Sequence, residues 1–346
     1  MRTKRLGAYA ASCVFAALAY GAEPANVIFD TDMYTDFDDV GALAVLHALA
    51  DAGECRIIAV GCNTYGPGNK SVAACEVINA YYGRADLTVG CSRSGGRKGP
   101  GANGHDLPMN YPQWVRHMNT ADAPLAVDVY RAALEKAQDK SVVICTVGYM
   151  NNVADLMKAD MPLIKRKVRL WSCMACSYPT GKECNSMYDP VSSDYAFSHW
   201  PKDIPIVWID FQYGIDCYSG RAVAELPVKG NPVKDAFALR LQPRHRIVPP
   251  GHPTCKATGD QMAGHPSWDE LAVLIAVRGT DRYFNVDRGS YRMVGTEGQN
   301  EWVPDSKSIN CRVTEKLPKA EVGRVIDELL CRPPAAQKRT QSGDRP

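Results

Sequence analysis

The sequence predicts an α/β fold: an open, mainly parallel sheet with helices on both faces. Short runs rich in Val, Ile and Cys, such as CRIIAV at 55–60 and SVVICTV at 141–147, alternate with stretches whose apolar residues recur at helical spacing. The strand-then-helix order repeats along the chain, which is the pattern of crossover units feeding one parallel sheet. A chain of 346 residues, 45% hydrophobic and 23% charged, has enough apolar sequence to cover such a sheet on both sides.

The elements follow in order. ANVIF (25–29) is the first strand, and DDVGALAVLHALADAG after it reads as a helix with acids in its first turn. CRIIAV is the second strand, and the polar loop GCNTYGPGN leads into helix KSVAACEVINAYYG. DLTVG (86–90) runs into SRSGGRKGPGANGHDLPMNYPQ, too long a loop for a plain connector. Helix PLAVDVYRAALEKAQD precedes SVVICTV, and NNVADLMK follows as a short helix. VRLWSC (168–173), a helix over DPVSSDYAFSHW, and IPIVWI (204–209) continue the alternation. PSWDELAVLIAVRG reads as a helix, YFNVDRGSYRMV as a hairpin and 318–331 as a closing helix. With no internal repeat and no linker, residues 23–331 are expected to form one domain and 332–346 a disordered tail.

The N-terminus reads as an export signal. Arg2, Lys4 and Arg5 precede the apolar stretch LGAYAASCVFAALAYGA, with small residues at Ala19, Gly21 and Ala22 for cleavage. The stretch is marginal in length for a membrane anchor, and Cys13 after AAS is a poor lipidation site. Residues 1–22 are therefore expected to be removed, giving a periplasmic or secreted protein with no stable membrane association. Their loss takes three basic groups and no acidic one, so a net charge of +2 becomes −1. With no basic block, no nucleic-acid partner is expected. Twelve cysteines remain, scattered through expected core strands, so most read as small core residues with room for one or two bridges. Cys173 and Cys176 form a lone CxxC without a second pair at zinc-site spacing.

In open α/β sheets ligands bind beyond the carboxyl ends of the strands. The stretch IFDTDMYTDFDDVGAL lies there, with Asp30, Asp32, Asp36, Asp38 and Asp39 crowded into ten positions. Helix capping accounts for two of these acids but not five. An EF-hand loop lacks its glycine and its final glutamate, and the dehalogenase-type phosphatase pattern lacks its small residues at Met33 and Tyr34. A hard cation with oxygen ligands is the strongest physical reading, because like charges this close need an offset. A calcium-sized ion wants six to eight oxygens, so help is needed from elsewhere, such as the Thr146 carbonyl at a strand end and Asp269 at a helix start. Asn69, Glu183 and Asn185, in loops after strands, offer partners for sugar hydroxyls.

These motifs, DTDMYTDFDDVGAL, CTVGYMNN, ECNSMYDP and SWDELAVL, resemble in order and spacing those of the inosine–uridine-preferring nucleoside hydrolases. The resemblance runs from about residue 25 to 280 and implies a nucleoside hydrolase-like fold with a Rossmann-like core. It further implies a calcium ion held by Asp32, Asp39, the Thr146 carbonyl and Asp269. Asp38, Asn69, Glu183 and Asn185 would bind ribose hydroxyls, and Asp32 would take a proton from the ion-activated water that attacks C1′. A homodimer or homotetramer is implied as well.

The chain departs from the family at two places. Asp36 is an extra acid, free to share the ion or to replace Asp32 as base. Trp268 stands just before Asp269, where family members carry a histidine suited to protonating the departing base. His105 lies in the long loop expected to cover the pocket, and His265 reads as a polar loop residue before Pro266. Trp268, Tyr34 and Tyr149 could stack on a base. The expected activity is hydrolysis of a ribonucleoside N-glycosidic bond. The competing readings are a hydrolase of another glycosidic substrate and a silent sugar- or nucleoside-binding protein.

Overall fold

The structure is a computed structural model that describes residues 24–33, 36–96, 98, 106–241 and 264–335. The expected leader (1–22), Tyr34, His105 and residues 336–346 of the expected tail lie outside the described residues.

The chain opens with β1 (Ala25–Thr31), α1 (Asp38–Asp51), β2 (Cys55–Cys62), α2 (Ser71–Tyr81), β3 (Val89–Cys91), the single turn α3 (Leu107–Asn110) and α4 (Ala126–Lys136). Then come β4 (Val142–Thr146), α5 (Asn151–Lys167), β5 (Val168–Met174), β6 (Thr180–Lys182), α6 (Cys184–Met187), α7 (Pro190–His199) and β7 (Ile206–Ile209). The short elements α8 (Phe211–Gly214), β8 (Tyr218–Ser219) and α9 (Arg221–Ala224) lead to α10 (Pro232–Arg240). The last part holds β9 (His265–Pro266), α11 (Trp268–Arg278), β10 (Phe284–Val294), β11 (Gln299–Pro304), β12 (Cys311–Glu315) and α12 (Lys319–Leu330).

Ten strands form one sheet in the order β3-β2-β1-β4-β5-β7-β12-β10-β11-β6. It is parallel from β3 through β12 and antiparallel beyond, where β12, β10, β11 and β6 pair in turn. Two buried clusters cover its faces. Helices α1, α2, α11 and α12 pack one face through Leu43, Leu46, Val77, Leu274 and Ile326. Helices α4, α5 and α7 pack the other through Tyr130, Leu134, Leu156 and Ala196. Helix α1 is buried all round from Asp38 to Leu49, as a helix apolar on every side must be. The chain runs from β1 to β2 on one side and returns to β4 on the other, so β1 and β4 flank the topological switch point where ligands bind.

Several expectations are corrected. YFNVDRGSYRMV is one strand, not a hairpin: β10 pairs with β12 over its first half and with β11 over its second. The reversal falls after Val294, where Gly295 and Gly298 have φ of +65° and +77°, an arrangement favoured by glycine. The short helix expected at NNVADLMK is present and ends at Asp160, which is non-helical (φ −156°, ψ 67°); a second helical stretch through Pro162 follows to Lys167, with the Asp160 carboxylate accepting from Leu163 N at 3.1 Å. Glu183 and Asn185 are not in a plain loop: Glu183 caps α6 and Asn185 lies within it. Of residues 332–346 the structure describes 332–335, with Pro334 buried and Ala335 N donating to Asp51 Oδ2 at 2.8 Å. All eleven cysteines among the described residues are free thiols, so no bridge of the kind allowed for is present among them.

Candidate metal centre and sugar site

Strand β1 loses its neighbours at Thr31, the last residue paired with β2, so Asp32 is the first free of the ladder. The turn that follows is held from inside. Thr31 Oγ1 accepts from Met33 N at 2.9 Å and donates to Asp39 Oδ1. Asp30 faces away from the cluster and braces the strand end, accepting from Tyr130 OH, Asn63 Nδ2 (2.6 Å) and Asn152 Nδ2 (2.8 Å). Burial pushes its pKa up to about 6 against those hydrogen bonds.

Helix α1 begins at Asp38, and its N-cap residue Phe37 makes no side-chain cap bond. The helix N-terminus aligns Asp38 and Asp39 with Asp269, in the first turn of α11, which packs beside α1. Carboxylate oxygens of Asp38, Asp39 and Asp269 lie within 4.8 Å of one another. All three are buried, at 2%, 1% and 5% exposure, and Asp32 is 6% exposed. Burial, reinforced by Asp32 and Asp38, raises the Asp39 pKa far above the usual carboxylate range. Burial together with Asp38, Asp39 and Asp32 does the same to Asp269. Four acids that repel one another in a desolvated place make a setting suited to a hard divalent cation, with Asp32, Asp39 and Asp269 as its expected carboxylate donors. The residues present therefore fit the ion the sequence implies.

The other expected residues surround this cluster. Gly148, in the turn after β4, approaches so closely that a Cβ there would lie 2.4 Å from Asp32 N. Thr146 ends β4 and is fully buried, and its Oγ1 accepts from Trp171 Nε1 at 2.9 Å. Asn69 is 2% exposed, and its Oδ1 accepts from Ser71 N (3.0 Å) and Ser71 Oγ (2.7 Å) at the start of α2. Glu183 accepts from Asn185 N (2.8 Å), Cys176 N (2.9 Å) and Ser186 N (3.1 Å), so the carboxylate also fastens its own turn. Burial raises its pKa despite those three donors. Asn185 donates Nδ2 to Met174 O at 3.2 Å. The turn is anchored from outside by β6, which pairs with β11, so the antiparallel extension of the sheet serves the site. Burial first, then the charge of Glu183 and those of Asp32 and Asp36, push the Cys184 thiol pKa up to about 12.

Trp268 is committed to packing. Its Nε1 donates to Phe211 O at 2.9 Å, its ring stacks on Phe211 with centroids 5.3 Å apart, and it is 8% exposed. It fits against Gly214, where a Cβ would meet the indole at 2.0 Å. Tyr149 is 1% exposed, which leaves its ring to the core.

His265 overturns its expectation as a loop residue: it lies in β9 and is fully buried. Its Nε2 is 3.1 Å from Asp36 Oδ1 and 3.3 Å from Asp38 Oδ1, and its Nδ1 accepts from Arg240 Nε at 2.8 Å. Burial works against a charged ring and the two carboxylates outweigh it, raising the pKa. The Arg240 N–H opposes a second ring proton, since it needs a bare nitrogen to accept it. Sequence reasoning missed Arg240 altogether. A cavity of about 930 Å³ lies at the opposite, N-terminal edge of the sheet, lined by Arg56, Asp128, Lys136 and Arg169 among others, and it contains none of the clustered acids.

Fold and cluster together define an α/β protein with a candidate hard-cation centre at the carboxyl edge of its sheet. The model of the inosine-uridine preferring nucleoside hydrolases matches residues 27–328. The chain belongs to that family. No curated protein sequence matches it. Among solved structures it is similar to the plant nucleoside hydrolase PpNRh1 (18% identity, 90% of this chain and 100% of that one, TM-score 0.64). It is also similar to the inosine-uridine preferring nucleoside hydrolase of Bacillus anthracis (16%, 88% and 99%, 0.60). A third is the type III effector protein XopQ, solved with adenosine diphosphate ribose (15%, 89% and 92%, 0.61). At these identities the likeness is one of fold.

Proposed function

We propose that the protein hydrolyses the N-glycosidic bond of a ribonucleoside or a related ribosyl compound, releasing base and ribose, with calcium as its ion. The observation that carries this reading is the buried set of acids, with oxygens of Asp38, Asp39 and Asp269 within 4.8 Å of one another. Asp32, Asp39, Asp269 and the Thr146 carbonyl would hold the ion. Bound there, it supplies the charge that offsets these carboxylates and acidifies a water. Asp32 is assigned as the base that accepts that water's proton. Asp38, Asn69, Glu183 and Asn185 hold the sugar hydroxyls, so that C1′ faces Asp32 in a fixed orientation. Positive charge developing at C1′ is stabilised by the same acids. His105 is retained as a candidate cover residue. Trp268 offers its indole N–H to Phe211 and no acid group to a leaving base, so the substrate's base must depart without help from that position. The protein is proposed to act after export, as a periplasmic or secreted dimer or tetramer.

A second reading, a silent sugar- or nucleoside-binding protein, is favoured by Trp268 in the histidine position and by the effector holding adenosine diphosphate ribose. One assay separates the two: free ribose released from common nucleosides, with calcium and after chelation. Release that needs calcium and falls about 10²- to 10⁴-fold in Asp32→Asn supports catalysis. Calcium binding without release from any nucleoside would leave the binding reading.

A further inference from the structure

We infer that Arg240, His265 and Asp36 form a relay that orients Asp38, and that neither His265 nor Asp36 is a ligand of the cation. The proposed hydrolysis enters only in what Asp38 does once it is oriented.

The argument starts at Arg240, the last residue of α10, whose Nε donates to His265 Nδ1 at 2.8 Å. A guanidinium nitrogen has no lone pair, so Nδ1 is the bare, accepting nitrogen of the ring. The ring hydrogen therefore sits on Nε2, which faces Asp36 Oδ1 at 3.1 Å and Asp38 Oδ1 at 3.3 Å. A nitrogen that carries its hydrogen has no lone pair for a metal. Oxygens of Asp36 and Asp38 and a nitrogen of His265 do fall within 4.8 Å of one another, a spacing that a metal trio also shows. Here the histidine is already engaged on both sides and is fully buried, so no water takes its place.

Asp36 Oδ1 has a second donor, Phe37 N at 2.8 Å, so that oxygen is filled from within the protein. Asp38 receives the N–H on Oδ1, which leaves Oδ2 as the oxygen without a donor from the relay. The ring is held in place by its neighbours. Phe37 meets the Arg240 guanidinium at 6.0 Å and the His265 ring edge-on at 6.3 Å, and His265 pairs through its backbone with Ser219. Three distant stretches thus converge on one carboxylate: the turn after β1, the end of α10, and β9. Asp36, the acid the family pattern does not require, has its own use as the second acceptor of a shared N–H. Without that N–H, Asp36 and Asp38 would face each other uncompensated and turn apart.

The test uses the full protein with ¹⁵N-labelled histidine, calcium alone as the first probe, and then a nucleoside. His265 should show a bare Nδ1 and a protonated Nε2, and the Nε2–H coupling should persist when calcium saturates the protein. Loss of that proton on calcium addition overturns the proposal. By calorimetric titration, His265→Gln, which keeps an N–H, and Asp36→Asn, which keeps an acceptor, should bind calcium within about threefold of the parent, whereas a true carboxylate ligand costs far more. A loss above about tenfold in either variant, comparable to removing a ligand, also overturns it. With nucleoside, His265→Leu should raise KM about tenfold with kcat changed less, and His265→Gln should recover most of that loss. Equal KM in the Leu and Gln variants refutes the orienting role. If the parent protein cleaves no nucleoside, the hydrolase reading fails, and the spectroscopic and calcium arms still decide the relay.

Discussion

Stripping the ion should leave a protein that is less stable at alkaline than at mildly acidic pH, and restoring calcium should flatten that dependence. Oxygens of Asp38, Asp39 and Asp269 lie within 4.8 Å of one another. Two unit charges at that separation repel by about 3.5 kcal/mol at an effective dielectric of about 20. Three ionised carboxylates therefore cost roughly 10 kcal/mol, comparable with the whole stability of an ordinary domain. The metal-free protein escapes by keeping protons, and the pKa values of Asp38, Asp39 and Asp269 are all raised, with burial the first cause of each. A raised folded-state pKa means that the native state holds protons the unfolded chain has released. That contribution is complete below about pH 4 and is lost as pH climbs through the raised values.

Calcium should replace those protons and release them to solvent, read by calorimetric titration in two buffers of different ionisation heat. At a hundredfold excess over Kd the ion adds about 2.7 kcal/mol, which raises Tm by roughly 4 °C in a chain of this size. The stripped protein should melt lower at pH 8 than at pH 5.5, and the calcium-induced rise should be larger at pH 8. A stripped protein that melts higher at pH 8, together with no proton release on binding, would refute both the cluster's electrostatics and its assignment to the ion.

Three further outcomes are expected. Gly148→Ala should cost about 1–3 kcal/mol and lower calcium affinity, because its Cβ would strike Asp32 N and the Asn63 side chain; urea melts at wild-type level would count against the close approach. Tyr130→Phe should cost about 1–3 kcal/mol by taking one of three donors from buried Asp30, and denaturant unfolding that matches the parent would deny the brace. Glu270 is fully buried, lacks a hydrogen-bond partner on either oxygen and has a pKa raised first by burial, so Glu270→Met should stabilise by about 1–3 kcal/mol. That gain should be larger at pH 8 than at pH 5, since the raised pKa makes the parent's acid most costly once it ionises; a gain that shrinks with pH would contradict it.

The sequence by itself determined the alternation of strands and helices, the aspartate-rich turn after β1 and the acid that opens α11. These are matters of short-range pattern: periods of two and 3.6 residues, and charges crowded within ten positions. It also raised the expectation of an offsetting cation, since so many carboxylates are crowded into ten positions. Only the tertiary structure decided which of those acids meet Asp269, which is held by Arg240 and His265, and which is turned inward to Tyr130. His265 and Asp38 are 227 positions apart, and no local period links residues at that distance. The same holds for β6, whose pairing with β11 anchors the Glu183 turn, and for Trp268, whose N–H is taken up by Phe211 across 57 positions. Residue type says what chemistry is available; the pairing of β1 with β4 at the switch point, and the packing of α11 against α1, decide which groups can use it.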